Sequence, residues 1–110
     1  MKGLKKRNDF LRLATVVKEV ADFYFYALKH VESRGRIFDS EEAMCDYERF
    51  VIRVRNAYDK LDNVEKAFIN NDFFFEKYPF WWQNIYSKTT YYRLKRRSMT
   101  NFMEALNNEY

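Results

Sequence analysis

Glycine, proline, cysteine and histidine are all scarce in this chain. Its 110 residues include two Gly, one Pro, one Cys and one His. Turn-rich β-architectures need more Gly and Pro than this, so their scarcity, together with long charged segments, favours an all-α fold. A single cysteine cannot form an internal disulfide bond, and this cysteine usage is typical of a cytoplasmic protein.

The chain also lacks the patterns that mark membrane proteins, secreted proteins and most enzymes. No apolar run approaches the ~18 residues of a membrane span, and no uninterrupted apolar segment follows the basic N-terminus. His30 has no Cys or Asp at metal-ligand spacing, and Cys45 stands in an acidic segment, where a buried structural role is expected. The two glycines, Gly3 and Gly35, are too far apart to form a phosphate-binding loop. We therefore expect no membrane partner, no catalytic site, no metal and no cofactor.

Positive charge is present in modest excess and is unevenly distributed. The formal net charge is +4, from 20 Lys and Arg against 16 Asp and Glu. Residues 1–36 carry nine basic and four acidic side chains, residues 37–66 carry five basic and eight acidic, and residues 86–101 carry five basic and none acidic. Two basic zones thus flank an acidic middle, a distribution that permits nucleic acid as a partner.

Apolar spacing predicts an N-terminal helical hairpin over residues 1–60. From about 8 to 31 the apolar residues recur at alternating steps of three and four, and the same spacing returns in a second helix that ends near residue 60. Gly35 supplies the break, and either Asp39 or Ser40 caps the second helix. A basic tail precedes the first helix. The two apolar stripes suit an intramolecular hairpin, and they would also suit a dimer seam.

Residues 61–110 have the element order of a helix-turn-helix unit. Asp62 followed by Glu65 predicts a capping box at the start of a third helix, from about 63 to 73. Two further helices are predicted after it. The complete chain is therefore expected to be all-α, with about five helices and with the hairpin packed on the C-terminal helix-turn-helix unit in one compact domain.

The last two predicted helices are the elements that would meet DNA. Pro79 favours a short fourth helix over 80–86, and Ser87 caps a fifth helix over about 88–107. In a helix-turn-helix protein the short helix braces the long one, whose N-terminal residues enter the major groove.

The fifth predicted helix carries the main functional signal. At helical spacing, Tyr91 and Leu94 fall on its apolar side, and basic, hydroxyl and aromatic residues fall on other sides. Lys and Arg neutralise phosphates and read guanine edges, and hydroxyl groups donate to phosphate oxygens. We therefore expect duplex DNA to contact Lys88, Thr89, Tyr92, Arg93, Arg96 and Arg97.

Part of the chain resembles a sigma-factor region 4 type helix-turn-helix and is similar to phage ArpU-type transcriptional regulators. The residues that carry the resemblance are 61–67, 87–93 with the pattern Ser-x-x-Thr-Tyr-Tyr-Arg, and 102–106 with the pattern Phe-x-x-Ala-Leu. Trp81 and Trp82 stand where such proteins usually carry small aliphatic residues. The resemblance covers residues 61–106 and implies DNA binding in transcriptional regulation.

Two aromatic runs, at residues 73–75 and 80–82, require a separate interpretation. Exposed aromatic rings can stack on the bases of single-stranded nucleic acid. In a helical protein such runs belong more often to the core, and that interpretation is favoured here. Because consecutive aromatic residues cannot all face inward, one or two should remain partly exposed as candidate contacts for another protein.

The favoured function is a non-catalytic, DNA-binding transcriptional regulator whose partner is double-stranded DNA, with RNA polymerase as a further candidate. The alternative is a helical protein-interaction module that binds RNA polymerase or another protein without reading DNA. A helical oligomer with a purely structural role is a third possibility. Both a monomer and a homodimer are compatible with the sequence.

Overall fold

The computed structural model describes residues 2–33 and 40–108, and of residues 2–6 it describes only the backbone. Within these ranges the chain is all-α and contains no strand, which confirms the predicted fold class. Gly35 and Asp39, for which the sequence predicts a break and a cap, lie outside the described residues. The elements are α1 (Lys2–Glu32), α2 (Glu41–Asp59), α3 (Asn63–Ile69), a π-helical segment (Asn70–Phe74) and α4 (Lys88–Asn107).

Helices α1 and α2 form the predicted antiparallel hairpin. The ring of Phe23 lies 4.8 Å from that of Phe50, and the ring of His30 lies 4.7 Å from that of Tyr47. The Ser40 hydroxyl caps α2 by accepting a hydrogen bond from the Ala43 N–H at 3.1 Å. Helix α1 begins at Lys2 and not, as the sequence predicts, near residue 8, because the Leu, Lys and Arg residues between these positions are good helix formers. The segment predicted as a basic tail is therefore helical.

The apolar stripes of the hairpin face the main core, as predicted. Val17, Tyr24 and Ala27 of α1 and Val51 and Val54 of α2 are all buried in it. The π-helical segment and α4 close this core from the other side, so the hairpin packs on the C-terminal unit.

Helix α3 begins with the predicted capping box and ends earlier than predicted. The Asp62 carboxylate accepts from the Glu65 N–H at 2.8 Å, and the Glu65 carboxylate accepts from the Asp62 N–H at 3.0 Å. At Asn70 the helix widens, and the Phe75 N–H donates to the Asn70 carbonyl at 2.8 Å, the five-residue spacing of a π-helix. Asn and Asp in this segment are weak helix formers, which favours the change of geometry there.

The prediction of a short helix over 80–86 is wrong, because these residues form consecutive turns. The Gln83 N–H donates to the Phe80 carbonyl and the Tyr86 N–H donates to the Trp82 carbonyl, but no helix grows from either bond. Phe80 has a φ of 68°, in the left-handed region, which interrupts any right-handed helix at its first residue. The connection over 75–87 is therefore irregular.

The prediction that Cys45 is buried is also wrong, because its side chain is exposed on α2. At 3.6 residues per turn it points away from Val51 and Val54, which face the core.

Candidate nucleic-acid interface

The rotation of α4 about its axis is fixed by its cap and by two buried side chains. The Ser87 hydroxyl accepts from the Thr90 N–H at 3.2 Å, as predicted for an N-cap. Tyr91 and Leu94 are only 7% and 9% exposed and pack with Phe68 of α3. The predicted inward orientation of both residues is confirmed, so the opposite side of α4 faces solvent.

A buried carboxylate holds the inner face of α4 in place. The Tyr91 hydroxyl donates to Oδ2 of Asp72 at 2.7 Å, and the Trp81 Nε1–H donates to Oδ1 at 2.6 Å. The Lys95 ammonium lies 3.3 Å from the same carboxylate, and the Trp82 ring stacks on Tyr91 with centroids 4.2 Å apart. We refer to Asp72, Trp81, Tyr91 and Lys95 as the Asp72 cluster. It joins the π-helical segment, the connection over 75–87 and α4.

The Asp72 cluster predicts a loss of stability in alkali. Burial, together with the hydrogen bond to Asp72, raises the pKa of the Tyr91 hydroxyl well above its ordinary value of 10.0. The folded state keeps this proton after the unfolded state releases it. The contribution of Tyr91 to stability is therefore constant below pH ~10 and should fall by up to about 1.4 kcal/mol for each further pH unit.

Urea unfolding of the natural protein and of Tyr91→Phe between pH 8 and pH 11 measures this effect. The variant should be less stable at pH 8, because Asp72 loses a donor, but it should lose less stability between pH 10 and pH 11. The other tyrosines contribute equally to the pH dependence of stability in both proteins. Equal losses above pH 10 would contradict the proposed protonation of Tyr91.

The predicted DNA contacts differ in their surroundings. Lys88, Thr89 and Arg93 are exposed, and their side chains have no hydrogen-bond or ion-pair partner within the described part of the chain. Tyr92 is 44% exposed and Arg96 is partly buried. The structure therefore presents the first two turns of α4 to solvent as an open basic surface.

Tyr92 and Arg96 meet the N-terminal part of α1. The Phe10 ring packs edge-on against Tyr92 with centroids 5.5 Å apart, and the Arg96 guanidinium lies 5.4 Å from the Phe10 centroid. At 1.5 Å rise per residue, the backbone of Lys2 lies only about 12 Å along α1 from Phe10. The contact of Phe10 therefore brings the N-terminal part of α1 beside the basic stretch of α4.

Arg97 lies apart from this surface and pairs with the start of α3. Its guanidinium is 3.4 Å from the Asp62 carboxylate and 3.5 Å from that of Glu65, and the Asn101 amide also donates to Glu65. These contacts neutralise Arg97 and satisfy the buried Glu65. Arg97 fastens α4 to α3, which makes it a weaker candidate for DNA contact than Arg93.

The sequence did not indicate that the two basic zones meet. Residues 2–12 and 88–97 together contain ten Lys and Arg and one Asp. The apolar spacing of α1 predicted that Phe10 would face another element. Periodicity alone could not show that this element would be Tyr92 of α4, which is far away in the sequence.

The aromatic runs divide between core and surface, as predicted. Phe73 is buried, but Phe75 and Phe80 are 65% and 64% exposed. Trp81 and Trp82 are partly buried and pack with the cluster around Phe68. The connection over 75–87 thus adds exposed rings beside α4.

None of the helices in the described ranges has both the length and the apolar content that crossing a membrane requires. Comparison with protein-family models, curated proteins and solved structures finds no significant match to this chain.

Proposed function

We propose that this protein is a non-catalytic transcriptional regulator that binds double-stranded DNA through α4 and the start of α1. The observation that supports this most strongly is the contact of Phe10 with Tyr92 and Arg96, which brings the N-terminal part of α1 beside the exposed basic start of α4. Exposed Lys and Arg side chains on a helical protein suit the phosphate backbone of a duplex.

The available positive charge is concentrated at the N-terminal end of α4. Lys95 and Arg97 are neutralised by Asp72 and by the start of α3. Lys88 and Arg93 are unpaired within the described residues, and Arg7, one turn before Phe10 on α1, is exposed. Binding is therefore expected to be led by Lys88 and Arg93.

The position of Phe10 limits which part of α4 can enter a groove. Because this ring covers one side of Arg96, base edges are accessible to Lys88, Thr89 and Arg93 on the first two turns. Arg96, whose guanidinium lies over the Phe10 ring, is better placed for a phosphate. This division assigns base reading to the helix start, as in helix-turn-helix proteins.

Fluorescence anisotropy with labelled genomic duplexes at several salt concentrations tests the proposal. The double variant Lys88→Ala/Arg93→Ala should bind specific duplexes more weakly and discriminate less between sequences, whereas Arg96→Ala should lower the slope of log K against log salt by about one. If Arg93 reads a base, Arg93→Ala alone should cost about 1–3 kcal/mol and relax specificity at one position.

Arg49→Ala is the matched control, because Arg49 is an exposed arginine on α2 and its removal changes the net charge by one. It should bind almost as the natural protein does. If the double variant and the natural protein bind equally at every salt concentration, α4 is not a recognition helix.

A protein-interaction module without DNA reading is the second candidate function. It is favoured by exposed apolar side chains on the connection over 75–87, where Tyr78 and Ile85 are 72% and 66% exposed. RNA polymerase is a candidate partner for this surface. Absence of duplex binding even at low salt, together with stable binding to purified RNA polymerase, would favour this function.

A further inference from the structure

A groove of about 300 Å³ lies between the connection over 75–87 and α4. Half of the residues that line it are aromatic, and the rings of Tyr78, Phe80 and Tyr92 are 72%, 64% and 44% exposed. Trp81 and Trp82, the only tryptophans of the chain, also line it. This volume is at the small end of ligand sites, which suits one flat ring rather than a large molecule.

Among the described residues that line the groove, the only charged side chain without an ion-pair partner is a lysine. The Asp72 carboxylate is compensated by Lys95, and Glu76 is compensated by Lys18 of α1. Lys77 is exposed and unpaired within the described residues. Lys77 is therefore available to pair with an anionic group of a ligand that lies in the groove.

Phe80 has an unfavourable backbone conformation but gains little burial from it. Its φ of 68° is rare for a residue with a large side chain, and strained positions of this kind cluster at functional sites. The ring nevertheless stays mostly exposed, with its centroid 6.3 Å from that of Trp82. The conformation places an aromatic ring at the mouth of the groove, where a ligand can stack on it.

We propose that this groove binds an unpaired base of single-stranded nucleic acid, with Phe80 as the main stacking ring and Lys77 beside the phosphates. Exposed aromatic rings next to positive charge are the combination that binds single strands with little sequence preference. The inference goes beyond the proposed duplex binding and does not require it, although Tyr92 borders both surfaces.

Binding to fluorescein-labelled oligo(dT) and oligo(U) of twelve nucleotides tests the proposal, with an abasic oligomer of the same length and charge. The natural protein should bind the base-containing oligomers more tightly than the abasic one, and base stacking should quench the fluorescence of Trp81 or Trp82. The DNA and RNA arms show which sugar the groove prefers.

Phe80→Ala should weaken binding to the base-containing oligomer about 5- to 150-fold, the range for loss of one stacked base. Phe80→Trp should preserve binding. Phe75→Ala is the matched control, because it removes a ring of equal exposure that does not line the groove. Circular dichroism checks folding, and Phe80→Leu, which keeps apolar bulk but cannot stack, provides the test if Phe80→Ala unfolds.

Equal affinity for abasic and base-containing oligomers, or equal binding by Phe80→Leu and the natural protein, would overturn the proposal. Duplex titrations with the same proteins separate the two functions. Base-dependent single-strand binding without duplex binding would remove the proposed function and leave this inference standing. Duplex binding without base-dependent single-strand binding would do the reverse.

Discussion

Replacing Phe102 with alanine should destabilise the protein by about 3–5 kcal/mol, the usual cost of deleting a buried aromatic ring. Phe102 has no exposed surface, and it lies in the main core, where α4 meets the hairpin. The Phe74 ring packs edge-on against it with centroids 6.0 Å apart. Because small domains are stable by only about 5–15 kcal/mol, this single change should remove much of the stability.

Urea denaturation followed by circular dichroism measures this loss. Phe75→Ala serves as the control, because the Phe75 side chain is 65% exposed and should contribute far less. A loss below ~1 kcal/mol in Phe102→Ala would mean that α4 does not pack on the hairpin as described.

Asp72→Ala should be comparably destabilising, by about 3–5 kcal/mol, because it leaves a buried cation without its partner. The Lys95 side chain is only 17% exposed and lies 3.3 Å from the Asp72 carboxylate. The same substitution leaves the Trp81 Nε1–H and the Tyr91 hydroxyl without their acceptor. Each lost acceptor for a buried donor adds to the cost.

Two controls separate burial from charge in this experiment. Asp22→Ala removes an exposed aspartate that pairs with Lys18 at 3.5 Å, and such surface pairs contribute at most about 1 kcal/mol. Asp72→Asn keeps one acceptor oxygen but loses the charge, so its loss should fall between those of the two alanine variants. If Asp72→Ala destabilised the protein as little as Asp22→Ala does, Asp72 would not be the centre of the cluster.

Local signals in the sequence predicted much of the fold. Ser87 and the pair Asp62 and Glu65 fixed two helix starts, because capping depends on residues within one turn of each other. Periodicity predicted the hairpin for the same reason. The π-helical segment at Asn70 and the left-handed Phe80 could not be predicted, because weak helix formers indicate where a regular helix ends but do not specify the conformation that replaces it.

The sequence was enough to predict which side of α4 faces solvent, but it did not predict which other elements contact that helix. Because Tyr91 and Leu94 must face inward, 3.6 residues per turn were enough to place Lys88 and Arg93 on the solvent side. The pairing of Arg97 with the start of α3 and the approach of α1 are long-range contacts, and composition carries no information about them.

The π-helical segment has a consequence for how this chain can vary. A π-turn is equivalent to one residue inserted into an α-helix, and one residue turns an α-helical backbone by about 100°. Deletion of Asn70 or Asn71 should restore a regular helix up to Asp72, and it should rotate the carboxylate of Asp72 away from Tyr91 and Lys95. Homologues with a gap at this point should therefore carry an apolar residue in place of Lys95, whereas homologues without the gap should keep both Asp72 and Lys95.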